Sequence, residues 1–218
     1  FPVNAYGISK AFAERTVIQA NGYAPHGTEY CCVRYGNVHG SRGSVVELWR
    51  EALRHGEPLR VTDRAMTRFF LTIEDAVRVA WSAAHIAPRG GILVPYLPAY
   101  VLEDLCGAMR RVYGQGAVAL ETIGARIGEK YHEDLMTPEE GGRLAIYTQE
   151  GRTPLYYCIM PVAPTWDIPP IKMWPVWSGS QYGIWAKGHL SQPYNSGTWP
   201  WRYNSAALEE RITDESLD

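Results

Sequence analysis

Between residues 29 and 44 the chain passes from an apolar run, through a glycine-rich loop, into a helix start. No other segment restricts the fold as tightly. Tyr30-Cys31-Cys32-Val33 is nearly continuous in apolar side chains, the pattern of a buried strand within 29–38. Residues 36–43 follow as a loop that contains Gly36, Gly40 and Gly43. Ser44-Val45-Val46-Glu47 then has the spacing of a capping box, in which serine hydroxyl and glutamate carboxylate satisfy N–H groups of the first turn. A strand that ends in such a loop at a helix N-terminus is where open α/β sheets bind ligands, and its backbone N–H groups suit anions.

The rest of the chain alternates in the same way. Residues 5–20 read as a helix followed by Gly22, and the helix from Ser44 runs to about His55 with Gly56 as its stop. A short strand is predicted over 59–62. Thr72-Ile73-Glu74-Asp75 opens a helix that offers Val77, Val79, Ala80, Trp81 and Ala84 for burial. Residues 91–97 are strand-like, and 102–113 are helical with Leu102, Leu105, Met109 and Val112 on one side. A strand over 120–123 precedes Thr137-Pro138-Glu139-Glu140, a helix start with proline at its first position. Strands alternating with helices predict an α/β class. From about residue 151, proline, tryptophan, tyrosine and glycine dominate and periodicity fades, so an irregular aromatic-rich closing segment is expected there.

Composition narrows the function classes. A chain of 218 residues with 46% hydrophobic side chains can bury a core. A net charge of -2 points away from nucleic acid, and no apolar run approaches the roughly 20 residues a membrane span needs. Cys31, Cys32, Cys106 and Cys158 lack metal-ligand spacing, and no metal is expected. Cys31 and Cys32, adjacent in an apolar run, read as buried free thiols, which favours a reducing, cytoplasmic setting. His26, His55, His85 and His189 are scattered. The start, Phe1-Pro2-Val3-Asn4, reads as the interior of a longer sequence.

The candidate chemistry lies at Tyr6-Gly7-Ile8-Ser9-Lys10. Spacing of four puts phenol and ammonium on one helical face. A nearby ammonium favours the phenolate, which makes tyrosine useful as an acid/base group in alcohol oxidation or ketone reduction. Alone, such a pair is common on surface helices; its weight comes from the strand and glycine loop that follow. Arg34 and Arg42 read either as ligand groups of that loop or as surface charges. His132-Glu133 has the look of a dyad but is better read as structural, and Glu139-Glu140 as a helix-start charge pair.

Four stretches together carry a family resemblance. They are Asn4-Ala5-Tyr6-Gly7-Ile8-Ser9-Lys10, the run Val33 through Val45, Val61-Thr62-Asp63-Arg64-Ala65-Met66-Thr67-Arg68-Phe69-Phe70, and Ile123-Gly124-Ala125-Arg126-Ile127-Gly128-Glu129-Lys130-Tyr131-His132-Glu133, with Tyr194-Asn195-Ser196-Gly197 fitting the tail. The chain resembles the extended short-chain dehydrogenases/reductases, and within them the nucleotide-sugar 4,6-dehydratases of polysaccharide biosynthesis, above all the inverting UDP-N-acetylglucosamine 4,6-dehydratases. The resemblance implies the C-terminal part of a Rossmann-like fold with a small α/β substrate lobe and without the N-terminal βαβ units. Residues 1–43 would be the remnant of the dinucleotide-binding domain, 44–150 the nucleotide-sugar lobe with segments returning to the core, and 151–218 the closing segment. It implies NADP, with NAD the alternative, held by Tyr6, Lys10, Val38, His39, Gly40, Ser41 and Arg42. A UDP-sugar would meet Asn37, Val45, Thr62, Arg68, Arg126 and Glu129, with Arg68 on the pyrophosphate and Tyr6 at the sugar hydroxyl. The implied reaction is internal redox: hydride leaves C4, water is lost across C5 and C6, and hydride returns to C6. A homo-oligomer is also implied.

The chain departs from the family pattern at three places. His39 stands where a small apolar residue is expected, Ile127 replaces a proline, and Tyr131 a leucine. The family's glycine-rich fingerprint and its Thr-Asp-Lys run would both lie before Phe1. This chain alone is therefore expected to be inactive, with an open sheet edge. Two other readings stay open, an epimerase or reductase of the same superfamily and a non-catalytic fragment.

Overall fold

The computed structural model describes residues 2–41, 43–113, 118–148, 154–162 and 189–191. Helix α1 spans Ala5–Gln19, and the Asn4 side chain caps it by accepting a hydrogen bond from the Gly7 N–H at 2.8 Å. Strands β1 (Cys32–Val33) and β2 (Asn37–Val38) follow. Next come α2 (Val45–His55), β3 (Leu59–Val61), β4 (Thr67–Leu71), α3 (Ile73–Ile86), β5 (Ile92–Pro95), β6 (Ala99–Val101) and α4 (Leu102–Val112). The chain continues with β7 (Leu120–Thr122), α5 (Pro138–Gly141), β8 (Leu144–Thr148), β9 (Pro154–Ile159) and β10 (His189–Ser191). Among the described residues no helix is long and apolar enough to cross a membrane.

The main sheet has the order β1-β5-β9-β8-β10; β1 and β5 are parallel and the remaining pairs antiparallel. Alternation along its strands builds two cores. Ile92, Val94, Ile146, Tyr157 and Ile159 point to one face, where Leu135 and Met136 cover them. Leu93, Ala145, Tyr147, Tyr156 and Cys158 point to the other, under Val79 and Ala83 of α3. A third core lies where α2 and α4 meet the β3-β7 pair. There α2 and α4 pack Trp49, Leu53, Leu105 and Met109 onto Leu59 and Val61 of the parallel pair β3-β7. Leu53 and Leu59 are fully buried, each contributing about 1.5–3 kcal/mol. The three-stranded sheet β2-β4-β6 supplies the rest of the scaffold.

Helix α1 is attached differently, since none of its residues is buried. Polar anchors hold it. Asn4 Nδ2 donates to the Gly128 carbonyl at 2.9 Å, and Glu14 accepts from Arg34. Beyond its C-terminus, fully buried Asn21 exchanges hydrogen bonds with both backbone groups of Tyr30.

Several expectations need correcting. The strand expected over 29–38 is two short strands. The chain leaves β5 after Val33 and joins β4 at Asn37, and Gly36 lies so close to Phe69 that a Cβ there would collide with it. Of five α3 side chains offered for burial, only Val79 is buried; Ala76, Val79 and Ala83 face the sheet, while Val77 and Trp81 are exposed. Val112 is exposed at the end of α4. The irregular segment expected from 151 contains β9, whose Tyr156, Tyr157, Cys158 and Ile159 are buried. Cys31 and Cys32 are half-buried rather than buried. Burial pushes all four thiols up, Cys32 to about 11 and Cys106 and Cys158 to about 12, so none is a ready nucleophile.

Ser44 caps α2 by accepting from the Glu47 N–H, but Glu47 returns its carboxylate to Gly43 rather than Ser44. Gly56 ends α2 in the left-handed region, and Thr72 and Thr137 cap α3 and α5.

Candidate functional site

Residues 126–129 form a tight turn in which the Glu129 N–H donates to the Arg126 carbonyl at 3.0 Å. Gly128 has φ +77, which the third position of a type II turn requires. A Cβ there would press on Asn4 and Val3, so the turn lies directly against the entry to α1. Tyr6 and Lys10 sit on the first turns of that helix. The turn and the Tyr-Lys helix are thus brought together.

Glu129 is the hub of the turn. One carboxylate oxygen accepts from Arg68 Nη2 at 3.0 Å and from the Thr62 hydroxyl at 3.2 Å; the other accepts from the Arg126 N–H at 3.2 Å. Arg68, on β4, also donates to the Thr67 and Tyr131 carbonyls, and its Nε lies 3.7 Å from Glu133. Its side chain is only 11% exposed. The sequence expectation placed this guanidinium on a pyrophosphate. In the structure its donors meet protein acceptors, so its present work is to hold Glu129 and Glu133. The Arg126 residue is exposed, and it is the cation of this turn open to an anionic ligand.

Glu133 lies beneath Asn37. Burial pushes its carboxyl up, with Arg68 and a hydrogen bond from the Phe69 backbone pulling against that. Tyr100, near both, is pushed up to about 12 by burial first and by Glu133 second. His132 turns elsewhere, its Nδ1 2.9 Å from the Thr67 hydroxyl, so His132 and Glu133 do not form a dyad.

The loop after β2 is open. Gly40, at φ +70, has free space where a Cβ would stand, and both it and Ser41 are exposed. Val38 is half-buried against the core that holds Ile92 and Val94, and Val45 packs on the core that holds Trp49 and Leu53. The His39 ring lies 5.1 Å from the Phe70 ring, and burial holds its pKa below the usual imidazole value. Tyr6 is 72% exposed, and Lys10 Nζ sits over its ring, 5.2 Å from the centroid. Tyr6, Lys10, Gly40 and Ser41 are thus all exposed. Arg42, the Tyr194–Gly197 run and the six tryptophans after residue 160 lie outside the described residues.

The other departures find local roles. Ile127 is fully exposed at the second position of its turn, where proline and isoleucine both fit. The Tyr131 hydroxyl donates to Asp63, tying the turn segment to the end of β3.

Sequence reasoning missed Arg34 as a structural group. Its five N–H donors meet both carboxylate oxygens of Glu14, both of Glu140 and the Leu135 carbonyl, at 2.7–3.0 Å. Glu140 is held below the usual carboxylate range: burial opposes this, and the Arg34 hydrogen bonds and charge outweigh it. No local signal marks partners 20 and 106 residues away.

Residues 1–150 match the family described as polysaccharide biosynthesis protein. The chain is 38% identical over 141 residues to a UDP-glucose 4-epimerase of Rickettsia typhi, covering 64% of this chain and 41% of the relative. Its fold is similar to the X-ray structure of Pen from Bacillus thuringiensis, with 28% identity and a TM-score of 0.68, covering 99% of this chain and 56% of that one. It also overlays on a Bacillus anthracis dTDP-glucose 4,6-dehydratase in complex with NAD, with 15% identity, a TM-score of 0.52, and coverage of 59% and 42%. The fold is that of the Rossmann-like epimerases and dehydratases, and the chain spans about half or less of each of these proteins.

Proposed function

This chain belongs to the polysaccharide biosynthesis protein family, and from that premise we propose that it carries the sugar-nucleotide side of a nucleotide-sugar 4,6-dehydratase. The substrate class is a UDP-N-acetylhexosamine, and the cofactor NADP, with NAD the alternative. The observation that supports this most is the network joining Thr62, Arg68 and Arg126 to Glu129, in a turn seated on the entry to the Tyr6–Lys10 helix.

Each residue then has a task. Arg126 offers its exposed charge to the diphosphate or the nucleotide. Glu129, fixed by Arg68 and Thr62, accepts from ribose or base. Asn37 and Val45 line the sugar side, while Val38, His39, Gly40, Ser41 and Arg42 line the cofactor side, with His39 giving that wall a ring where the family has a smaller residue. The cofactor, when bound, supplies the hydride acceptor. Tyr6 takes the proton of the sugar hydroxyl, and Lys10 holds the ribose beside it.

The Rickettsia relative, named a UDP-glucose 4-epimerase, favours a second reading in which the same site epimerises C4. Product analysis separates them. The chain is joined to the dinucleotide-binding half that the family resemblance puts before Phe1, then incubated with NADP+ and UDP-N-acetylglucosamine. A 4-keto-6-deoxy sugar nucleotide supports the dehydratase, the C4 epimer supports the epimerase, and neither product overturns both.

A further inference from the structure

Asn37 and Glu133 come from segments 96 residues apart and meet at the exposed edge of β2. The orientation of the Asn37 amide follows from its surroundings. With its oxygen towards Glu133 it would face only acceptors; with its nitrogen there, Nδ2 donates to both carboxylate oxygens, at 2.8 and 3.0 Å. Glu133 is in turn held by a hydrogen bond from the Phe69 N–H and by Arg68 Nε at 3.7 Å. A carboxylate is an acceptor only, so it admits one orientation of the amide, with the Asn37 carbonyl oxygen turned away from Glu133.

We propose that Glu133 is a positioning residue: it fixes Asn37 with the carbonyl oxygen outward, so that this point of the site selects ligands presenting a hydrogen-bond donor, a sugar hydroxyl or acetamido N–H. This rests on the reading that Asn37 faces the sugar of a sugar nucleotide. It adds the polarity of the contact and the residue that sets it. A glutamine at 133 offers donor and acceptor together, so the amide of Asn37 can then turn either way. An aspartate at 37 facing Glu133 puts two acceptors in contact. Exchanging both residues restores the pairing, because a glutamine at 133 donates to an aspartate at 37 and still accepts from Phe69, while the second aspartate oxygen faces outward.

The test is a double-mutant cycle read by calorimetric titration of the 218-residue chain with UDP-N-acetylglucosamine and, separately, with UDP. Thermal melting checks that each variant is folded. Glu133→Gln is expected to weaken UDP-N-acetylglucosamine binding about tenfold, the scale of one hydrogen bond, and to leave UDP binding unchanged. Asn37→Asp alone is expected to weaken it at least as much, and the double variant N37D/E133Q to recover most of the loss. Equal losses for UDP and the UDP-sugar, or no recovery in a folded double variant, overturn the positioning role. Failure of the unaltered chain to bind UDP-N-acetylglucosamine overturns the sugar-nucleotide reading itself, and the proposal with it.

Discussion

Arg34 and Arg68 each stand beside two carboxylates, yet they serve different ends. The partners of Arg34 are Glu14 in α1 and Glu140 in α5, so its charge fastens regular elements to the end of β1. Every oxygen it engages belongs to the scaffold. The partners of Arg68 are Glu129 and Glu133, which also receive Thr62, the Arg126 backbone and Asn37. Of these residues Asn37 and Arg126 are exposed and Thr62 is half-buried. An arginine whose acceptors end in helices builds the fold; one whose acceptors continue into exposed polar groups arranges a site.

The strongest attempt to break this contrast is Arg34→Met. It leaves two largely buried carboxylates without their cation, and a loss of about 3–5 kcal/mol in urea unfolding is expected. A loss under about 1 kcal/mol, the size of an exposed pair, would put Arg34 among surface charges. The pH dependence adds a second handle. Glu140 is depressed below its ordinary value of 4.5, so its contribution is complete above that pH and is lost as pH falls through the depressed value. Stability should therefore drop below pH 4.5 in the native chain, and drop less in Arg34→Met.

Gly36→Ala probes the joint between the two arginine networks. The added methyl meets Phe69, and overpacking of about 1–3 kcal/mol is expected in the same unfolding assay. A neutral result would mean that the passage from β1 to β2 is looser than described. The smallest expected effect is a gain. Ile127→Pro, at an exposed second turn position, should stabilise by about 0.4–1 kcal/mol, and a loss instead would contradict the type II geometry that holds Glu129.

Much of the scaffold can be read from local pattern. Ser44, Gly56, Thr72 and Thr137 act within one turn of their own positions, and the capping-box spacing closes fully at Thr137 but only by half at Ser44. β4 is also legible: Thr67, Phe69 and Leu71 alternate with the less buried Arg68 and Phe70, a period of two. β9 is harder, because Tyr156 and Tyr157 are buried on opposite faces of the sheet and leave no alternation. The site is legible in its motifs but not in its connections. Tyr6, Asn37, Thr62, Arg68, Arg126 and Glu129 stand in recognisable runs. That Arg68 is spent on Glu129, or that Glu133 orients Asn37, depends on contacts spanning 61 and 96 residues. Side-chain type cannot convey those.

The most direct measurement is made on Glu129→Gln, which keeps the shape of the hub and removes its charge. Stability and UDP-N-acetylglucosamine affinity are measured on the same 218-residue chain. At least a tenfold loss of affinity is expected, about 1.4 kcal/mol or more of binding, with unfolding stability changed by less than about 1 kcal/mol. Unchanged affinity together with a stability loss like that of Arg34→Met would contradict that expectation, since Glu129 would then be another clamp of the fold.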